Sequence, residues 1–299
     1  MAYNTTHVDL NRGTSGLSLP LQLSNEIMAT AMQESAVMRL APQIALPGSG
    51  VTIPVILGDP EASWIGETEE KHVAVPTLTQ KNMKPYILQV TLPVSKQFMR
   101  DYATLYDEIA KRLPASLARK FDTTVFFGTA PGTGFDVLTS APRTYDGTTA
   151  WKTLVAAKQA VAGNHGNLNG WAISPYGEAS LLSAEGSGSG MPVFTSAVTN
   201  GMYDKLIGAP VVITEAADDT GNSGTGAWAV AGDWSMARWG YVGGINLEIA
   251  DQATINDGSK QVNLWQRNMV AIRAEVEIGF VCADDDFFTL IGGTAPNNG

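Results

Sequence analysis

The chain has 299 residues, 44% of them hydrophobic and 16% charged, and its formal net charge is -10. This composition is typical of a folded protein, the few charged residues indicate a surface that partners cover in part, and the acidic excess disfavours broad binding to nucleic-acid phosphates. The one cysteine, Cys282, excludes an internal disulfide framework and fits a reducing compartment.

The N-terminal residues 1–19 are polar and show no hydrophobic period, so we predict an arm without a core of its own. The arm lacks the basic cluster and apolar core of a signal peptide, and no apolar run in the chain is long enough to span a bilayer. We therefore expect synthesis in the cytosol. Between Ser24 and Leu40 the sequence predicts one short amphipathic helix, ended by Pro42. Its inward positions are Ile27, Met28, Ala31, Met32, Ser35 and Met38.

An extended hairpin is predicted next, because apolar residues alternate with small or polar ones in two separated runs. The segment between the runs has an acidic middle. A two-stranded ribbon alone is only marginally stable in water, so we expect so long a hairpin to gain stability on another subunit. The alternating residues are Val51, Ile53 and Val55 in the first strand and Leu88, Val90, Leu92 and Val94 in the second.

Residues 101–128 predict one long amphipathic helix, with apolar side chains at every fourth position and charged ones between them. Pro114 in its middle removes a backbone hydrogen bond, so we expect a bend there. Gly128 stands where a left-handed residue would end the helix. The apolar positions are Leu105, Ile109, Leu113, Leu117, Phe121 and Val125.

A stretch rich in Gly, Thr and Pro then predicts a boundary, followed by a region in which helix and strand alternate. Thr149 is placed to cap a helix that Gly163 ends. Ser174 with Pro175 opens a second helix, which reaches Leu182. The predicted strands are residues 170–174, 210–214, 227–231 and 245–249.

The C-terminal part contains a hairpin turn at Asp257 and Gly258, with residues 261–265 as the returning strand. The last strand shows the clearest alternation in the chain, which predicts one buried face and one ionic face. The buried face holds Ile272, Ala274, Val276, Ile278 and Phe280, and the ionic face holds Arg273, Glu275 and Glu277.

No pattern in the chain indicates catalysis. His7, His72 and His165 lack second ligands at metal spacing, and Cys282 has no base that would make it a nucleophile. Two glycine-rich runs, GSGSG and PGTG, lack the Lys and Ser/Thr of a nucleotide-binding loop. A run of three acids at residues 284–286 lacks the spacing of a calcium loop. We expect no enzymatic activity, no cofactor and no metal.

Five segments, taken in order, resemble parts of the major capsid proteins of tailed bacteriophages with the Hong Kong 97-like fold. The resemblance runs from about Leu19 to Ile291. It implies an α+β chain with an N-terminal arm, an extended hairpin loop, a peripheral domain that contains a long spine helix, and an α/β axial domain. The segments are residues 93–129, 171–182, 205–216, 229–249 and 268–291.

Mapped on this chain, the resemblance implies five divisions. They are an arm with the short helix at 1–49, the extended loop at 50–94, the peripheral domain with the spine helix at 95–147, the axial domain at 148–263 and returning peripheral strands at 264–299.

The function implied by the resemblance is self-assembly into hexamers and pentamers of an icosahedral shell that encloses double-stranded DNA without reading its sequence. The implied location is the virion, after assembly in the cytoplasm of a bacterial host, with portal and scaffolding or decoration proteins as further partners and no membrane. Because the arm begins so near Met1, a separate scaffolding protein or none is expected. Residue types for an inter-subunit lysine–asparagine crosslink are present without a motif, at Lys71, Lys81, Lys84, Asn263 and Asn268.

Two groups of residues are the expected subunit contacts. The acidic hairpin tip is expected to meet the charged face of a neighbour's spine helix, and two loops of the axial domain are expected near capsomer axes or on the outer surface. The first group is Trp64, Glu67, Glu69, Glu70, Lys71, Lys111, Arg112, Arg119 and Lys120, and the second is Gly186, Gly188, Gly190, Asp218 and Asp219.

Two alternatives stay open from the sequence. One is a bacterial nanocompartment shell, which shares the fold and encloses an enzyme, and the other is an enzyme with an unrecognised site. The contents of the particle would separate them: DNA, an enzyme cargo or no particle at all.

Overall fold

The computed structural model describes residues 28, 30–58, 62–68, 73, 77–97, 103–144, 150–182, 205–219, 226–256 and 261–292. Helices and strands both contribute, as the predicted α+β class requires. The helices are α1 Ala36–Leu40, α2 Ala103–Phe127, α3 Ala150–Gly163 and α4 Pro175–Leu182. The strands are β1 Val51–Gly58, β2 Thr77–Met83, β3 Tyr86–Ser95, β4 Arg143–Thr144, β5 Gly170–Ile173, β6 Lys205–Leu206, β7 Ala209–Ile213, β8 Ala227–Gly232, β9 Ala237–Ala250, β10 Thr254–Asn256, β11 Gln261–Asn263, β12 Met269–Cys282 and β13 Phe288–Gly292.

The long helix α2 is continuous through Pro114, as predicted. Its apolar stripe is buried at Leu113, Leu117, Phe121 and Val125. The expected left-handed ending is wrong, because Gly128 has no positive φ and its N–H donates back to the Thr124 carbonyl at 3.1 Å. The helix therefore ends with one further backbone hydrogen bond of the helical type, from a residue to the one four positions before it.

A three-stranded antiparallel sheet, in the order β3-β12-β9, covers one side of α2. The predicted alternation of β12 is confirmed, because Ile272, Ala274, Val276, Ile278 and Phe280 are all at most 4% exposed. On the opposite face, the Arg273 guanidinium lies 2.5 Å from a Glu248 carboxylate oxygen and 3.4 Å from one of Glu275.

The predicted pairing of the extended hairpin is wrong. Strand β1 pairs with β2, in the register Val51 to Met83, whereas β3 pairs with β12. The alternating apolar residues of β3, such as Leu88 and Val90, pack against the main core. This packing removes more of their apolar surface from water than pairing in a solvated two-stranded ribbon would. The true partner β2 has the polar sequence TLTQKNM, so hydrophobic alternation could not reveal it.

A six-stranded sheet, in the order β4-β13-β8-β5-β7-β6, forms the second layer of the protein. Helix α3 packs Leu154, Ala157 and Val161 into its core beside Trp171 of β5. Helix α4 begins as predicted, because the Gly177 N–H donates to the Ser174 hydroxyl at 3.0 Å. The predicted small hairpin is also confirmed by the pairing of β10 with β11.

Three strands join different sheets from those expected. Strand β4, within the range 95–147 expected to be peripheral, pairs with β13 in the six-stranded sheet. Strand β9 begins at Ala237, earlier than the predicted residue 245, and pairs with β12 in the three-stranded sheet. Strand β13, expected among the returning peripheral strands, pairs with β8 in the six-stranded sheet. All five residues of β13 are buried, so this strand needs a sheet that is covered on both faces.

The single helix expected over residues 24–40 is interrupted. Residues 30–34 are helical, Ser35 is not, and α1 starts afresh at Ala36 with Ser35 as its N-cap. The Met38 N–H donates to the Ser35 hydroxyl at 3.1 Å. A capping serine has extended backbone angles, which a continuous helix does not permit.

Candidate assembly surfaces

The hairpin of β1 and β2 leaves the body of the subunit. Its base packs in a small core of Leu46, Met83 and Val281. Its far part, residues 62–68, is exposed throughout, and Trp64 is as accessible as in an extended peptide, with 103% relative exposure. Because tryptophan is among the residues that gain most from leaving water, this segment is a candidate contact surface.

Of the acidic residues predicted at this tip, Glu67 is described and exposed. Glu69, Glu70 and Lys71 lie outside the described residues. The predicted role of this acidic group at a neighbour's spine helix stays a prediction.

An ion pair fastens the hairpin base to the body. The Lys81 ammonium lies 3.3 Å from Asp136 Oδ2, an oxygen that also accepts from the Cys282 N–H at 3.2 Å. Burial is the largest single effect and lowers the pKa of Lys81, but the neighbouring acidic groups, Asp136 first among them, together outweigh burial and raise the pKa above its usual value. Lys81 is thus a cation that positions the hairpin, and its amine is protonated.

Cys282 is a buried thiol that donates to Asp285 Oδ1 at 3.2 Å. Burial raises the pKa of this thiol far above its usual value, and the carboxylates of Asp285 and Asp136 raise it further. A thiol in these surroundings stays protonated and is a poor nucleophile.

The charged face of α2 is partly engaged within the subunit. Arg119 Nη2 lies 3.0 Å from Glu215 Oε2, and both side chains are largely exposed. This pair joins α2 to the short 3₁₀ turn Glu215–Ala217, which follows β7. Arg112 and Lys120 are exposed, and the side chain of Lys111 lies outside the described residues.

A cleft of about 210 Å³ opens beside this ion pair, between α2, the start of α4 and the end of β7. Its apolar wall consists of Ala115, Pro175 and Ile213. Its polar rim carries Glu34, Arg119 and Glu215. The cleft combines apolar walls with both signs of charge, and no sequence pattern indicates it because its residues are distant in the chain.

Asp122 is a completely buried carboxylate on α2 that the sequence reasoning missed. It accepts hydrogen bonds from the Ser35 hydroxyl at 2.5 Å, the Ala36 N–H at 2.6 Å and the Val37 N–H at 3.3 Å. Burial raises the pKa of Asp122 to about 7, against the lowering effect of these hydrogen bonds. The residue ties α1 to the long helix. The sequence feature that could have revealed this residue is an acidic side chain directly after Phe121, within the apolar stripe of the helix.

The second predicted group, the axial loops, is only partly described. Asp218 is exposed, whereas Asp219 is 7% exposed and its N–H donates to the Ala227 carbonyl at 2.8 Å. Gly186, Gly188 and Gly190 lie outside the described residues. The predicted position of both loops near capsomer axes stays a prediction.

Within the described part of the chain, no group of three or more His, Cys, Asp or Glu side chains is placed to hold a metal ion. Asp284, the first of the three consecutive acids, caps the 3₁₀ turn Asp285–Phe287 by accepting from the Asp286 N–H at 3.2 Å. No helix in the described ranges is long and apolar enough to cross a membrane.

Comparison with known proteins identifies the family to which the chain belongs. The sequence profile of the phage capsid family matches residues 15–292. The chain is 29% identical to a probable major capsid protein of Mycobacterium phage L5 over 90% of this chain and 87% of the relative. It is 23% identical to the major capsid protein of Staphylococcus phage 80alpha over 97% of this chain and 89% of the relative.

Solved structures agree. A chain from Gordonia phage Cozz superposes with a TM-score of 0.72 at 25% identity, covering 87% of both chains. One from Mycobacterium phage Ogopogo gives a TM-score of 0.74 at 19% identity, covering 87% of this chain and 92% of the other. The resemblance found in the sequence is confirmed over nearly the whole length, and the chain belongs to the phage capsid family.

Proposed function

We propose that this chain is the major capsid protein of a tailed bacteriophage, which assembles with copies of itself into a closed shell. The observation that carries the proposal is the family match over residues 15–292, which spans both sheets, the long helix and the hairpin. The fold then supplies a physical reason for assembly, because the exposed hairpin tip lacks cover within the described part of its own subunit.

In the shell, the three-stranded sheet with α2 forms the peripheral domain and the six-stranded sheet forms most of the axial domain. Three strands depart from the division expected from sequence. Strands β4 and β13 lie in the six-stranded sheet although their residues were expected in the peripheral domain, and β9 lies in the three-stranded sheet although its residues were expected in the axial domain. Hexamers and pentamers of the chain would place the two axial loops, at residues 186–191 and 218–226, near their symmetry axes or on the outer surface.

Contacts between subunits would join the hairpin tip of one copy to the exposed basic face of α2 in the next. Glu67 supplies an acidic side chain, and Arg119 and Lys120 supply basic ones. Each exposed pair contributes only about 0.2–1 kcal/mol. Weak contacts repeated over a shell allow misplaced subunits to leave before closure.

The shell would enclose double-stranded DNA without gripping it, since a chain with a net charge of -10 repels phosphates. A portal and scaffolding or decoration proteins would be the further partners, and assembly would take place in the cytoplasm of the bacterial host.

The test is to express the chain, isolate material that sediments faster than single subunits, and image it by electron microscopy. Closed particles built from pentamers and hexamers are the expected result. DNA in the particles of the parent virion supports a phage capsid, whereas an enzyme cargo would identify a nanocompartment shell. A monomer that persists at high concentration in its native context would contradict the proposal.

A further inference from the structure

We propose that the cleft beside α2 receives the Trp64 side chain of a second copy of this chain. The inference rests on the proposed function, since it names the receiving site for the hairpin tip. Its basis is a fully exposed indole on one surface and, on another, a cleft lined by charged, polar and apolar side chains together.

Trp64 would gain from a partner that covers it, because its whole side chain faces water. Its described neighbours, residues 62–68, are exposed too, so no local cluster shelters the ring. An indole buries about 150–250 Å² when covered, and tryptophan is enriched among the residues that dominate the energy of protein interfaces. In the isolated subunit the ring is fully exposed and fills no cleft of its own chain, so the proposed contact is between two copies.

The cleft has the size of one aromatic side chain. Its volume is about 210 Å³. A cavity of about 150 Å³ accepts benzene, and pockets for drug-sized ligands begin near about 300 Å³. A volume between these limits matches an indole and is too small for most cofactors.

The chemistry of the cleft also matches an indole. Ala115, Pro175 and Ile213 offer apolar contact on the walls. Glu215 holds the Arg119 guanidinium at the rim, where its plane can stack on the ring. The exposed Glu34 carboxylate is an acceptor for the indole N–H, which needs a hydrogen-bond partner once buried.

Beyond the rim, where Glu34 and Glu215 outnumber Arg119, one further pair of opposite charges fits the same approach. Glu67 follows Trp64 by three residues and is exposed. Lys120 follows Arg119 on α2 and is exposed as well. A hairpin tip that places its indole in the cleft would bring an acidic side chain to a basic face.

The first experiment replaces Trp64 with the photo-crosslinker benzoylphenylalanine, which keeps an aromatic ring at the position. Labelled chains are mixed with an excess of unlabelled wild-type chains, so that shells form even if the variant assembles poorly alone. After irradiation, mass spectrometry should find peptides crosslinked between labelled and unlabelled chains, with attachment at Ala115, Pro175 or Ile213. The matched control places the same group at Trp265, which is 69% exposed in the turn after β11 and should not attach there.

The second experiment fills the cleft. Ala115→Leu should raise the subunit concentration needed for half-maximal assembly at least about tenfold, because the indole loses its site. Ser116→Leu adds the same side chain at the next, exposed position and should leave assembly within about twofold of wild type. Unfolding of the unassembled subunits is measured for both variants, to separate docking from folding.

The outcomes distinguish this inference from the proposed function. Crosslinks at the cleft together with the Ala115→Leu defect support the inference. Wild-type shells in which the residue-64 crosslinks map elsewhere overturn it and leave the capsid function standing. Wild-type chains that form no shell overturn the proposed function and this inference with it.

Discussion

The three-stranded sheet and the hairpin of β1 and β2 are both antiparallel, yet they differ in what covers them. Strands β3, β12 and β9 bury one face against α2, whereas the hairpin shares only its base with the body. In the sheet, alternation separates a core face from a solvent face. In the hairpin, residues 62–68 are exposed throughout. The sheet supplies core to the subunit, whereas the exposed part of the hairpin is the surface that we propose for contact with other subunits.

The largest expected effect tests this division directly. Phe280 in β12 is completely buried, so Phe280→Ala should lower the free energy of unfolding of the unassembled subunit by about 3–5 kcal/mol. Trp64→Ala, an aromatic truncation on the hairpin, should change it by less than about 0.5 kcal/mol. Urea unfolding measures both. Equal urea midpoints for the two variants would show that the hairpin tip and the sheet contribute equally to the stability of the subunit.

Asp122 gives the next largest effect, through pH. Its pKa is about 7 in the folded chain, against an ordinary value of 3.8 for an aspartate in an unfolded chain, so the folded state binds the proton more tightly between these limits. The stabilisation that protonated Asp122 contributes to the folded state is therefore fully present below about pH 4, and it is lost as the pH rises to about 7. The loss is at most about 4 kcal/mol, at about 1.36 kcal/mol per pKa unit.

Asp122→Asn is the matched control, because an amide of the same shape does not titrate. Urea unfolding of the variant between pH 4 and pH 7 should show a much flatter profile than that of the wild type. A wild-type profile that rises over this interval would show that the three hydrogen bonds outweigh burial.

A smaller effect is expected at the hairpin tip. Changing Glu67, Glu69 and Glu70 to Lys should impair assembly, more at low than at high salt, because exposed charges are screened by ions. Each pair involves about 0.2–1 kcal/mol, and the subunit's own unfolding should hardly change. Light scattering over a salt series measures assembly. Lys120→Glu should restore part of it, and normal assembly of the triple variant at every salt concentration would refute the contact.

The smallest effect is expected for the ion pair between α2 and the six-stranded sheet. Arg119 and Glu215 are 62% and 66% exposed, so Arg119→Ala should cost the unassembled subunit only about 0–1 kcal/mol. Urea unfolding at low and high salt measures this loss. A cost near that of Phe280→Ala would mean that charge, and not packing, fixes how α2 meets the 3₁₀ turn after β7.

The sequence by itself determined the elements whose signals are local. Helix α2, the alternation of β12 and the start of α4 at Ser174 follow from side-chain period and capping, which involve residues a few positions apart. The resemblance to phage capsids rested on these elements in their order. Trp64 and Glu67 were also chosen from sequence, and the structure finds both exposed.

Only the tertiary structure decided which surfaces meet. Strand β3 could alternate in a ribbon or in a sheet, and burial against α2 selects the sheet. Asp122 interrupts a regular helical pattern at Ser35 from 87 residues away. The cleft likewise gathers Glu34, Ala115 and Ile213 from three distant segments. Such pairings depend on which surfaces of the whole chain bury more apolar area and form more hydrogen bonds with each other. The hydrophobic pattern of one segment does not show which distant segments are available to pair with it.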